Sequence, residues 1–376
     1  MSPRTSKLSS EISNTGTNVS FESSTTYTIL EEIGRGGMGV VYLAERTCMG
    51  VGDLVVLKTI RSLSTEHEDR LRKEANIATR LRHQNIVKTY GLAVLPYSSL
   101  PEQFRKDLEA SRSGCSDGEL SVGKRRDLKR RKRRKLQDRA QNRLQGRSQN
   151  RQRIRAASIS PRKDSDEGRL VLIAMNYVEG LSLHQIMVDH LRAGYLIPPM
   201  LSAFILSRIC RALAYAHNFI VHRDISPENI LIDRHGVCQL TDFGIAVGAG
   251  ESRQGVAGKV TYMPPEGLRS ELVDERGDTY SLGIVFYYLL TGILPYFTER
   301  GRPVREQMKK IRRQIDRGTP TPRGVREDVP EILSEITMRM IDPSPARRYP
   351  RISTIGEELE RDHLYASGYG PTNTSL

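Results

Sequence analysis

The sequence predicts an α+β molecule of two lobes, a small strand-rich N-lobe ahead of a larger helical C-lobe. Two patterns carry that expectation. Residues 27–60 run in β-branched and apolar segments broken by glycines, and a charged helical stretch follows them. Beyond residue 180, LSAFILSRICRALAYAHNFI, SLGIVFYYLLTGI and VPEILSEITMRMI keep apolar residues on one stripe or all round, as buried helices do. The length agrees: of 376 residues, those outside a polar tail and one basic span suffice for two lobes with a sizeable core.

Taken in order, residues 1–26 are rich in Ser, Thr and Asn, with few apolar groups, and read as a disordered tail. YTILEEIGRGGMGVVYLAE follows, with Gly34, Gly36, Gly39 and Val41 in the pattern GxGxxGxV. Glycines there let backbone amides approach phosphate oxygens where a Cβ would collide. A dinucleotide-binding turn has the same glycines but opens a helix, whereas VVYLAE reads as a strand. The segment is therefore a hairpin; taken alone, it leaves open a hairpin with no ligand. VVLK ends in Lys58 on a β-branched run, and EHEDRLRKEANIATRLRHQNIV reads as an amphipathic helix carrying Glu74. Strands are expected to end near Leu95 and to begin again near Arg169.

The densest signal lies further on. His222-Arg223-Asp224-Ile225-Ser226-Pro227-Glu228-Asn229-Ile230, then Asp242-Phe243-Gly244, set two carboxylates and an amide at close intervals. One oxygen to orient an attacking hydroxyl and two hard oxygen ligands for a divalent cation are what phosphoryl transfer needs.

HRDISPENI and DFG, with the glycine hairpin, resemble the catalytic, metal-binding and glycine-rich loops of the bacterial eukaryotic-like (Hanks-type) Ser/Thr protein kinases. The resemblance covers residues 27 to about 365, apart from one insertion, and implies the two-lobed protein kinase fold. It implies ATP and Mg²⁺ in a cleft between the lobes. Asp224 is expected to orient the substrate hydroxyl, Asn229 and Asp242 to bind metal, and Lys58 to hold the α- and β-phosphates. Register against LRHQNIV favours Glu74 as the partner of Lys58 over Glu68 or Asp69. Ile33, Gly34, Gly36, Gly39, Val41, Val56 and Leu231 are expected around the nucleotide, with Met175 as gatekeeper and the backbone about Tyr177 at the adenine edge. TYMPPE resembles the family's YMAPE; Glu266 is expected to pair with Arg348 or, alternatively, Arg347, and Asp278 to hold the catalytic loop.

Two departures occur together. Ser226 stands where most of these kinases have a γ-phosphate lysine, and Lys259 where a threonine usually follows the glycine of the substrate-facing loop. Lys259 is expected to supply the charge Ser226 lacks. Val56, where alanine is common, narrows the adenine pocket. A pseudokinase usually loses the lysine or one aspartate; here Lys58, Asp224, Asn229 and Asp242 all remain, so transfer is expected, with a nucleotide-binding scaffold as the rival reading.

Net charge is +14, and the span 96–168 holds 21 Lys and Arg against 10 Asp and Glu. Residues 97–167 are thus read as a basic, disordered insertion in the N-lobe, within a kinase domain of residues 27–365 and ahead of a tail at 366–376. The bland reading is a solvated charge run. The sharper one is a dock at 124–155 for a polyanion (nucleic acid, anionic lipid or acidic protein). Ser158, Ser160 and the N-terminal tail are expected autophosphorylation sites, and Ser252 the activation-loop switch. Protein substrates are implied. Four cysteines without CxxC spacing fit a reducing compartment, the polar N-terminus has no signal-peptide pattern, and the apolar run near 282–294 is too short for a membrane span. A cytoplasmic enzyme is the expectation.

Overall fold

The computed structural model describes residues 18–22, 25–36, 39–48, 51–62, 65–96, 169–243, 259–299 and 301–360. The chain divides into two compact units, residues 1–61 with 93–172 and residues 62–92 with 173–376. The expected insertion 97–167, Ser158, Ser160, Ser252 and the tail 366–376 lie outside the described residues.

The first unit is built on strands β1 (Asn18–Glu22), β2 (Thr25–Gly36), β3 (Gly39–Cys48) and β4 (Val51–Ser62). Strands β5 (Thr89–Pro96) and β6 (Arg169–Asn176) complete a six-stranded sheet ordered β1-β2-β3-β4-β6-β5. β1 corrects the expected tail at 1–26: Asn18–Glu22 pairs antiparallel with β2, Asn18 opposite Thr28. The tail reading rested on sparse apolar side chains, whereas edge pairing is made by backbone groups that any of those residues supplies. Tyr42, Leu43, Ala44, Val55 and Leu57 form buried parts of this sheet, which is why β3 and β4 read as nearly continuous apolar runs.

The second unit takes the helix α1 (Thr65–Ala78) with the helical remainder of the chain. A small sheet of β7 (Gly180–Ser182), β8 (Ile230–Asp233) and β9 (Cys238–Leu240) carries two chain segments of interest at its ends. Around it lie α2 (Leu183–Arg192), α3 (Pro199–Ala216), α4 (Pro265–Leu268), α5 (Glu275–Thr291), α6 (Val304–Asp316), α7 (Pro322–Val325), α8 (Glu331–Met340) and α9 (Ile352–Leu359). Ser182 caps α2 by accepting from the Gln185 amide, and Asp274 caps α5 by accepting from that of Arg276. α5 ends at Gly292, whose φ of 75° suits the left-handed cap only glycine adopts freely.

α5 is buried on nearly every side, from Gly277 to Thr291, so it shows no one-sided apolar stripe. It packs with α3 and α8 in a single core that includes Leu206, Ile209, Tyr280, Phe286 and Leu333. A Cβ on Gly283 would come within 2.8 Å of Met340 Cβ, so that glycine sets the close approach of α5 to α8.

Candidate active site

In the first unit the glycine run forms the expected hairpin. Gly34 faces Val41 and Gly36 faces Gly39 across β2 and β3, while residues 37 and 38 lie outside the described residues. Gly39 has φ +150°, and a Cβ there would lie 1.9 Å from the Thr59 carbonyl oxygen. The contact is fixed by buried Thr59, whose Oγ1 accepts from the Val40 amide and donates to the Val40 carbonyl, both at 2.8 Å. Gly34 is less constrained, with only ordinary 3.7 Å contact to Val41. Lys58 is half-buried and directly opposite Val41; Val56 lies opposite Leu43, and Ile33 is 39% exposed.

In the second unit the HRD segment is held by one carboxylate. Asp278, in the first turn of α5 and 1% exposed, accepts the backbone amides of His222 and Arg223 through its two oxygens, each at 2.7 Å. His217 Nε2 lies 2.9 Å from the same Oδ2 that His222 reaches. This clamp fits an unusual backbone, because Arg223 has φ 63°, in the left-handed region that non-glycine residues seldom enter.

His222 ties that loop to the strand leading into DFG. Its ring is fully buried, its Nε2 lies 2.9 Å from the Thr241 carbonyl, and its Nδ1 accepts from the Asp224 amide at 3.2 Å. One nitrogen accepts a backbone N–H and the other meets a carbonyl oxygen, so the neutral ring protonated at Nε2 satisfies both. Burial lowers its pKa from the ordinary 6.5, against the raising influence of Asp278, Asp224 and Asp242. The ring also packs against Phe243 at 4.6 Å between centroids.

Asn229 closes the set. Its Nδ2 donates to the Asp224 carbonyl at 2.7 Å and to Asp224 Oδ2 at 3.0 Å, which uses both amide hydrogens and leaves Oδ1 as its oxygen donor. Thr241 N donates to the Asn229 carbonyl at 3.0 Å, so the β8–β9 hairpin brings the segments on either side of it together. Asp242 follows with φ 64°, a second left-handed non-glycine residue in this site. The Ser226 hydroxyl is buried without a hydrogen-bond partner among the described residues.

Thus Asp224, Asn229 and Asp242 fall in one unit, on neighbouring segments, while Lys58 and the glycines belong to the other. Glu74 is half-buried on α1, three residues beyond the fully buried Leu71. Met175 is buried on β6 and its sulfur accepts from Thr241 Oγ1 at 3.6 Å; Tyr177 is half-buried just past that strand, and Leu231 lies on β8 opposite Ser182. Lys259 opens a 3₁₀ turn at Lys259–Tyr262, its side chain lying outside the described residues. Glu266 receives two hydrogen bonds from Arg348, at 2.7 and 2.8 Å, and Arg347 pairs with Asp342 instead. Of the arginine alternatives, the geometry selects Arg348. Thr59, His217 and Thr241 were missed by reading the chain, since no local pattern marks a threonine or histidine whose partner is distant in sequence.

A sequence model of the protein kinase domain matches residues 128–355, and one of protein tyrosine and serine/threonine kinases matches residues 27–100. The chain belongs to the protein kinase domain family. Among kinases, it is 28% identical over 344 residues to the serine/threonine-protein kinase PrkC of Bacillus subtilis, covering 89% of this chain and 40% of that protein. It is 31% identical over 208 residues to PknB of Mycolicibacterium smegmatis, a serine/threonine-protein kinase (53% and 32% covered). It is also 31% identical over 220 residues to the tyrosine-protein kinase MasK of Myxococcus xanthus (54% and 33% covered). The chain spans less than half the length of these relatives. The crystal structure of the Mycobacterium tuberculosis PknI kinase domain superposes with a TM-score of 0.53 at 20% identity, covering 94% of this chain and 98% of that one, and so shares the kinase fold. No helix among the described residues is long and apolar enough to cross a membrane.

Proposed function

We propose that the chain is a protein-serine/threonine kinase, transferring the γ-phosphate of ATP to protein hydroxyls, its own among them, in cytoplasmic signalling. The observation that carries this reading is the Asp224–Asn229 pairing on a loop clamped by Asp278. A carboxylate that only balanced charge would have no need of so rigid a mount.

The residues present fit a metal nucleotide. Gly39 leaves no room for a Cβ beside Thr59, as a backbone built for close approach requires, and Asn229 Oδ1 with Asp242 offers hard oxygens suited to Mg²⁺. MgATP, when bound, supplies the transferable phosphoryl group and neutralising charge. Asp224 accepts the hydrogen bond of the acceptor hydroxyl and orients it. Lys58 holds phosphate oxygens and Glu74 holds Lys58, while Gly34, Gly36 and Gly39 present amides. Ile33, Val41, Val56, Met175 and Leu231 give the adenine ring apolar contact, and the Tyr177 backbone meets its edge. Lys259 brings the positive charge that Ser226 lacks. The basic span 124–155 docks a polyanion, which localises the enzyme.

Incubation with γ-labelled ATP, Mg²⁺ and acceptor protein tests this. Asp224→Ala should lose about 10³-fold or more in transfer while nucleotide still binds by calorimetry. Lys259→Ala should lose far more than Ser226→Ala, and equal small losses would remove Lys259 from the site. Label on serine and threonine is expected by phosphoamino acid analysis; label on tyrosine alone would move the chain toward the activity named for MasK.

A further inference from the structure

The outer face of α6 is basic. Residues 302–317 hold seven Lys or Arg against two Asp or Glu. Buried Gln307, Ile311 and Ile315 turn one side of the helix inward. At 100° per residue, Arg305, Lys309, Arg312 and Arg313 then share the opposite side, where all four are exposed. Among the described residues none of these four has a carboxylate within ion-pair distance. Lys310 and Arg302 are the ones that pair, both with Glu299, and Arg302 also with Glu306. Exposed Glu306 and Asp316 are the two opposing charges on this side of the helix.

The C-terminal end of this helix leads into a groove of about 580 Å³. Its floor is Ile315, Met338 and Ile341, exposed Pro343 forms a lip, and Arg339 and Arg347 stand at its rim. Both arginines are held in place. Arg339 lies over the Tyr349 ring at 4.1 Å, and Arg347 Nε donates to both oxygens of Asp342 at 3.0 Å, which leaves its Nη donors for an occupant. That volume is in the range that takes one or two bulky side chains.

We propose that this surface docks an acidic polypeptide segment of a partner protein, carboxylates on the α6 stripe and a following apolar side chain in the groove. Charge complementarity and the apolar floor together select the occupant. Arginine forks recognise carboxylates in two-point fashion. An anionic bilayer would meet the stripe as a plane and leave the groove unfilled. A nucleic-acid strand gains its stacking from aromatic faces, and none of the groove's lining residues is aromatic. The segment's capture is independent of phosphoryl transfer, so the site stands or falls apart from the proposed activity.

Fluorescence anisotropy of the full chain with a labelled peptide Glu-Asp-Glu-Glu-Gly-Leu-Phe-Gly tests the site. The double variant Arg312→Glu/Arg313→Glu should weaken binding about tenfold at low salt. Replacing Leu-Phe by Ser-Ser in the peptide should weaken it about tenfold with the wild-type chain and leave it unchanged with Met338→Glu, a coupling that the basic insertion cannot mimic. Should Met338→Glu melt early, Pro343→Glu, at an exposed lip position, takes its place. Phosphatidylserine vesicles and a DNA duplex serve as rival ligands. Peptide binding indifferent to the variants, or loss of vesicle or duplex binding on Arg312→Glu/Arg313→Glu with no peptide coupling at the groove, would overturn the proposal.

Discussion

His222 is a structural histidine set among three acidic residues, and its behaviour with pH follows from burial. Its folded pKa lies below the ordinary 6.5 because the charged ring would lose its water. Below about pH 6.5 the unfolded chain therefore binds a proton that the folded chain refuses, and stability falls as pH falls. The slope attributable to this residue approaches but does not exceed about 1.4 kcal/mol per pH unit. Denaturant titrations at about pH 7 and about pH 5.5 should show a smaller loss for His222→Gln than for wild type. A second contrast at this scale concerns neighbouring arginines. Arg348→Ala strands the buried Glu266 carboxylate and should cost about 3–5 kcal/mol, whereas Arg347→Ala, at an exposed pair, should stay within about 1 kcal/mol in the same assay. In the motif DPSPARRYP, the Tyr349-Pro350 that follows favours Arg348, with Arg347 left open as the alternative. What decides is which guanidinium reaches Glu266, 82 positions away.

The β2–β3 hairpin was legible because the residues after its glycines are β-branched, which excludes a strand-to-helix turn. Its tight point was not. Thr59 lies 19 residues from Val40, and only the pairing of β3 with β4 brings the two together. Gly39→Ala forces a Cβ against the Thr59 carbonyl and should raise the KM for ATP at least tenfold, while Gly34→Ala, in open contact, should change it less than about threefold. Steady-state kinetics of the two variants side by side reads the difference. β1 escaped the sequence reading for a related reason. Val19 and Phe21 do alternate with polar Asn18, Ser20 and Glu22, but over five residues, too short a run to stand out from the Ser- and Thr-rich stretch around it.

At the scale of the molecule, charge is unevenly distributed. Most of the net +14 arises between residues 96 and 168, and the HRD and DFG segments lie outside that span. Deleting 97–167 and closing the chain with a short turn should leave turnover within about threefold, while heparin affinity and its salt dependence fall steeply. Turnover lost together with polyanion binding would place the span in the catalytic machinery. The two-part organisation was readable from the order of periodicities, yet α1 joins the helical unit although it follows strands in the chain.

Asp278 reaches the HRD backbone from a fixed place four residues past the helix cap at Asp274. Each added residue would turn that carboxylate 100° about the helix axis. Much of this helix can exchange one side chain for another of like volume, but its opening turn cannot change length, and the count of residues there is as much a part of the clamp as their identity.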